Sequence, residues 1–344
     1  MVSTRQGHGS SQQTFVLVDT SVWRSQPLLR TPLGDALIHY VRRTDSKIAL
    51  PEVVELEVTK QLFRAVSEAR LQAENSFGVL QRVMGQMPEF KLPNDNEVRE
   101  AIKQRLDDLV DSIERVPFSL EHARGALQRV FDETPPNAPK NQQFKDSAIW
   151  EAARELAGRR PVLFVTDDKG FFEGRDPTKG VARVLREEID GGVDIRVFYG
   201  LLACLEAVHG AAPKLDRDAV AKQLDEILRT EVNTYLARDG WVATDPAAMD
   251  LDVFATERPS QVTLSLRADY PLGDLLPDEN RMAPSAIVQA TATYDLKTNK
   301  VAGVTLDVLN TEWTDVGGER RGSAIVFARA AIVVGVAVNA SGSF

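Results

Sequence analysis

Asp19 ends the apolar run of "TFVLVDTSVW" (14–23), and Asp167 and Asp168 end a second one, "PVLFVTDD" (161–168). Two more acidic groups stand at the start of helical stretches: Asp146 in "FKDSAIW" and the trio Glu52, Glu55 and Glu57 in "LPEVVELEV". In a parallel sheet, functional side chains gather just beyond the carboxyl ends of the strands. Four separate segments therefore point carboxylates toward what could be one edge. Each acid alone has a plainer reading as a helix cap or turn residue. Together they would repel one another, raising their pKa values and costing stability unless a cation is present. A hard divalent ion, Mg²⁺ or Mn²⁺, takes oxygen ligands of this kind together with phosphate oxygens. The chemistry implied is metal-assisted hydrolysis of a phosphodiester.

The elements that must position these acids follow from periodicity. Buried strands are expected at 15–18, 47–51, within 161–168 and near 193–199, alternating with helices, which predicts a parallel sheet covered on both faces. Helical spacing appears at 31–43, from Val53 to about 85, and from 96 through "NEVREAIKQRLDDLVDSIERVPF" into the helix of "FSLEHARGALQRVFDE". The segment 60–135 therefore reads as a helical insertion, ended by the proline-rich loop "TPPNAPKNQQ". From about 211 the pattern changes to one amphipathic helix followed by alternating strand-like stretches, with a hairpin turn at "DLKTNK". The expected architecture is an α/β domain over 14–210 and a smaller α+β domain over 211–344 with a mainly antiparallel sheet. Residues 1–13, polar and rich in Gly, Ser and Gln, read as a disordered start.

Composition narrows the classes. Hydrophobic residues make up 43% and charged residues 26% of 344, an ordinary globular balance. The formal charge of −9 argues against a generic coat on polyanions. Residues 211–344 carry −6 of it (13 basic, 19 acidic), leaving −3 (28 basic, 31 acidic) for the part that bears the acid cluster. With basic pairs at Arg42–Arg43 and Arg159–Arg160, nucleic-acid binding stays open. Cys204 is the only cysteine, so no intramolecular disulfide forms and a cytoplasmic location is the default. The apolar stretch 323–340 is broken by Arg329 and reads as one or two buried strands rather than a membrane helix. The four histidines, 8, 39, 122 and 209, lack metal-ligand spacing, and His39 and His122 read as helix-surface residues. A phosphate-cradling glycine loop is absent. A haloacid-dehalogenase phosphatase would need a second aspartate where Ser21 stands.

"VLVDTSVW", "LPEVVELEV", "FKDSAIWEAA" and "LFVTDDKGFF", in that order, resemble the four acidic motifs of PIN-domain nucleases. The long helical segment and "PPNAPKNQQFKD" resemble the larger bacterial branch of that family, over about 14–208. The resemblance implies metal contacts from Asp19, Glu57, Asp146 and Asp168, with Asp167 as the alternative to Asp168. In the second motif the register falls on Glu57 rather than Glu55, and the two point about 200° apart on a helix. Thr20 and Thr166 are expected to support the carboxylates, and Lys145 to contact phosphate. The family cleaves RNA, often single-stranded, with Mg²⁺ or Mn²⁺, and many bacterial members are toxins or defence effectors. An RNA substrate, self-association and a protein partner for the C-terminal domain are the partners implied; no membrane is. Because clustered acids repel, metal should raise the melting temperature, and Asp19→Asn should raise that of the metal-free form.

Overall fold

Phe15, Val16, Leu17 and Val18 are all buried, as a central strand covered on both faces requires. The computed structural model describes residues 13–85, 91–208, 213–275 and 281–327. The chain begins with β1 (Phe15–Val18), α1 (Thr20–Ser25), α2 (Pro32–Arg43), β2 (Lys47–Pro51), α3 (Glu52–Met84), α4 (Asp95–Asp108) and β3 (Ile113–Val116). It continues with α5 (Leu120–Phe131), α6 (Phe144–Ala157), β4 (Val162–Thr166), α7 (Arg183–Asp190), β5 (Ile195–Tyr199) and α8 (Gly200–Val208). The strands form one parallel sheet in the order β3-β2-β1-β4-β5. From β1 the chain builds outward through β2 to β3, then returns to the other side of β1 as β4. The crevice beyond the ends of β1 and β4 is thus the switch point at which such sheets receive ligands.

Local chemistry places the helices that carry the acids. Helix α3 starts directly after Pro51 and buries Val54, Val58 and Leu62, one residue per turn, which turns a single stripe toward the sheet. Helix α6 buries Ala148, Ile149, Ala152, Ala153 and Leu156, together with Trp150. It is fixed by a buried ion-pair network. The Arg129 guanidinium on α5 donates to Glu151 on α6 (2.6 Å) and to both carboxylate oxygens of Glu188 on α7 (2.8 and 2.6 Å), while Trp150 Nε1 donates to Glu188 (3.1 Å). Burial alone would disfavour both charges, but the hydrogen bonds outweigh it, so Arg129 is held above and Glu188 below the ordinary range.

The second unit contains α9 (Arg217–Leu236) and six antiparallel strands: β6 (Trp241–Ala243), β7 (Ala248–Ala255), β8 (Gln261–Asp274), β9 (Arg281–Asp295), β10 (Lys300–Asp315) and β11 (Arg320–Val326). The order is β11-β10-β9-β8-β6, and β7 pairs with the part of β8 that β6 leaves open. Val220, Leu224, Leu228, Val232 and Leu236 of α9 share a core with Val262, Leu264, Leu266, Ala268 and Tyr270 of β8, a four-residue period meeting a two-residue one. Among the described residues, the two compact units comprise those of 13–31 with 40–208, and those of 32–39 with 213–327. The first two-thirds of α2 thus group with the antiparallel sheet, where Thr263 Oγ1 donates to the Pro32 carbonyl (2.7 Å).

Several elements differ from the sequence expectation. The single long helix expected from 96 onward stops at Asp108, and Ile113–Val116 becomes β3, paired with β2. Ile113 and Val116 satisfy a helical period as well as a strand, and the free edge of β2 decides between them. The stretch 60–135 is therefore not helices alone, since it adds a strand to the sheet. Strands β6 and β7 had no counterpart in the expectation. His122 is not on the surface: its ring is buried, accepts the Ser119 N–H at Nδ1 (3.3 Å) and meets Glu155 at Nε2 (2.7 Å). The expected start at 1–13 lies outside the described residues except for Gln13, and so does the apolar stretch beyond 327. Among the described residues no helix is long and apolar enough to cross a membrane.

Removing one member of the Arg129 network strands the others in the interior. Arg129→Met should destabilise the protein by about 3–5 kcal/mol, measured as a fall in the urea midpoint, whereas Arg159→Met, on an exposed pair with Glu114, should change it by under about 1 kcal/mol.

Candidate active site

Asp19 leaves β1 beside the end of β4, its N–H donating to the Val165 carbonyl (2.9 Å). Its carboxylate is almost wholly buried and is held by three donors: the Thr20 N–H (2.6 Å), the Ser21 hydroxyl (2.9 Å) and the Thr166 hydroxyl (2.7 Å). The Thr166 oxygen also accepts the Asp168 N–H (2.9 Å). Because an amide can only donate, the single Thr166 proton is directed at Asp19. One hydroxyl thereby couples the acids of two neighbouring strands. Burial pushes the Asp19 pKa up, the three hydrogen bonds pull it down, and the charge of Asp168 adds a further push upward.

Asp168 Oδ1 accepts the Gly170 N–H (2.8 Å), and Oδ2 accepts Gln143 Nε2 (3.2 Å). Position 170 admits only glycine without movement, since a Cβ there would lie 2.8 Å from Gln143 Oε1 and 3.0 Å from the Pro136 carbonyl. The Asp167 carboxylate accepts the Ser25 hydroxyl (3.1 Å), and its N–H donates to Ser21 Oγ (3.0 Å). On α3, Glu57 faces the cluster, taking Gln61 Nε2 (2.9 Å) and an ion pair from Lys145 Nζ. Glu55 pairs with Arg115 (3.2 Å), and Glu52 accepts the Phe118 N–H (2.9 Å), both on the β3 side.

Asp146, in the first turn of α6, completes the group. Among the described residues nothing donates a hydrogen bond to its carboxylate. Burial, then the charges of Asp19, Asp168 and Glu57 in that order, raise its pKa from 3.8 to about 7, with only Lys145 pulling it down. The four acids named from sequence thus act on one another electrostatically, and Asp167 is absent from that set. The Thr166 and Ser21 hydroxyls donate to Asp19, while Thr20 donates its N–H to Asp19 and turns its hydroxyl toward Glu57 at 3.5 Å. Lys145 pairs with Glu57 and lies near enough to Asp146 to lower its pKa.

Residues 16–171 match the family model described as the PIN domain. Residues 16–171 are a PIN domain. No curated protein and no solved structure matches the chain. The match ends at Phe171, just past the last acid, and leaves the antiparallel unit unassigned.

The donor set of the PIN domain fits a hard dication in chemistry, being all oxygen and carrying excess negative charge around Asp146. Among the described residues, no three acidic, histidine or cysteine side chains are drawn together into a ready metal shell. Sequence reasoning missed Gln61, Gln143 and Tyr199. The last is half-exposed at the end of β5, its hydroxyl pKa raised by burial and by Asp167 and Asp168. Phe171 and Phe172 pack inward, Phe171 against Phe164 and Trp150 and Phe172 against Tyr199. Cys204 is buried, its thiol pushed up to about 12, and has no part in the site.

A carboxyl with a raised folded pKa favours the folded state below its unfolded value and loses that contribution as pH rises through the folded one. In EDTA the protein should therefore lose stability as pH rises from near 3.8 to about 7. Asp146→Asn should flatten that slope and melt higher than wild type at pH 8. Asp19 is the wrong acid to neutralise, because an asparagine oxygen cannot serve three donors and Asp19→Asn leaves a buried donor unmatched. Scanning calorimetry across pH in EDTA checks this, with Mn²⁺ expected to raise the wild-type melting temperature and to do so far less for Asp146→Asn.

Proposed function

We propose that the PIN domain is a Mg²⁺- or Mn²⁺-dependent ribonuclease that hydrolyses phosphodiester bonds of single-stranded RNA, in the manner of a toxin or defence effector. The observation that carries the reading is Asp146, a carboxyl without a hydrogen-bond donor among the described residues, raised to about 7 by burial and three surrounding carboxylates. A scaffold gains nothing from that repulsion, whereas a phosphodiesterase uses it. Asp19, Glu57, Asp146 and Asp168 would hold the ion, which when bound would supply Lewis-acid activation of water and neutralise charge at the leaving oxygen. Thr166 and Ser21 orient Asp19, Gln143 and the Gly170 N–H orient Asp168, and Gln61 orients Glu57. Lys145 neutralises Glu57 in the resting protein.

That ion pair, together with the lack of a gathered metal shell among the described residues, favours a second reading: a non-catalytic RNA-binding or assembly scaffold in which Lys145 permanently replaces the ion. In either reading the antiparallel unit is proposed to bind a protein partner or a second copy.

Purified full-length protein incubated with labelled single-stranded RNA and Mn²⁺ or Mg²⁺ separates the two. The nuclease reading expects cleavage that stops in EDTA and falls at least about 100-fold in Asp146→Asn. No cleavage at all supports the scaffold, and cleavage that survives either change overturns the metal-dependent four-carboxylate reading.

A further inference from the structure

Beside Asp168 lies a cavity of about 270 Å³ with no part in the acid cluster. Pro135, Pro136 and Ala138, from the loop that leads into α6, form one wall; Gly170, Phe172 and Arg175, from the loop that follows Asp168, form the other. Its volume falls just under the roughly 300 Å³ at which sites for larger organic ligands begin. The prolines offer carbonyl acceptors and apolar surface but no N–H.

Arg175 joins this cavity to the acids. Its Nη2 lies 3.7 Å from Asp168 Oδ1, too far for a hydrogen bond, and its side chain is about half exposed. No other acidic partner holds it among the described residues. Its backbone is left-handed at φ 60°, directly after Gly174 at φ 59°, a conformation that disfavours a branched or bulky residue and persists only where surrounding structure enforces it. The enforcement is visible. The Arg175 N–H donates to the Phe172 carbonyl (3.0 Å), the Glu173 N–H to Gly180 (2.9 Å) and the Asp176 N–H to Glu173 (3.1 Å). The loop held by these bonds thus presents a half-exposed guanidinium whose one acidic partner among the described residues is Asp168, at ion-pair rather than hydrogen-bond distance.

Building on the nuclease reading, we propose that this cavity seats the nucleotide next to the cleaved bond, with Arg175 gripping its phosphate and the proline and Phe172 walls enclosing its base. Arg175 is a substrate-binding residue of this chain, and the cavity sets which nucleotide is accepted there.

The test is binding, measured by fluorescence anisotropy on the full-length protein with a labelled single-stranded oligoribonucleotide in EDTA. Arg175→Gln should raise Kd about tenfold and reduce the slope of log K against log salt by about 0.7; Arg175→Lys should restore the slope. Ala138→Trp, which fills the cavity without changing charge, should raise Kd while keeping the wild-type slope. Unchanged melting temperatures exclude misfolding as the cause. If Arg175→Gln and Ala138→Trp bind like wild type, or if wild type does not bind, the cavity assignment is overturned. Binding that depends on both residues, in a protein that never cleaves, removes the nuclease reading and leaves the cavity standing. Cleavage by a protein whose variants bind normally does the reverse.

Discussion

Mutual repulsion among carboxylates at the end of β1 and β4 is the constraint around which the N-terminal unit is arranged. The parallel sheet brings Asp19 and Asp168 to adjacent strand ends, and α3 and α6 add Glu57 and Asp146. Buried like charges of this kind cost stability, and the fold answers each with a different device. A threonine proton and a serine hydroxyl serve Asp19, a backbone amide and a glutamine serve Asp168, and a lysine serves Glu57. Among the described residues, Asp146 alone of the four receives no such partner. The imbalance is the main physical sign that this edge of the sheet exists for something other than stability.

The strands bearing the acids were legible because a strand buried on both faces must be a short unbroken apolar run, and an acid directly after it has no apolar reason to be there. Glu57 was separable from Glu55 because helix geometry sends the two to opposite sides, and their partners, Lys145 and Arg115, lie on those sides. What could not be read was set by pairing across long separations. Strand β3 exists because β2 has an open edge, and its four residues fit a helical period equally well. Ser21 meets Asp167 across 146 positions, and nothing local marks either as a partner of the other. His122 looked like a surface residue because its neighbours are polar, and only the packing of α5 on α6 buries it.

In the second unit the alternation in β8 to β10 carried the antiparallel sheet plainly, whereas β7 was hidden by Asp250 and Asp252 on its exposed face beside buried Leu251 and Val253. Charged residues at every other position are what a half-buried strand should show, yet in isolation they resemble a loop. The grouping of residues 32–39 with this sheet had no signal in the sequence at all, because an amphipathic helix does not announce which surface its apolar stripe will meet.

The Arg129 network has a consequence beyond holding three helices. The loop 132–143 runs between α5 and α6, and the loop after Asp168 ends at α7, so both walls of the cavity beside Asp168 are anchored to helices tied to one guanidinium. A ligand entering there meets a shape that already exists and loses little conformational entropy in ordering it. In the use proposed for that cavity, its selectivity is steric and rests on an ion-pair network whose members, Arg129, Glu151 and Glu188, stand outside its lining.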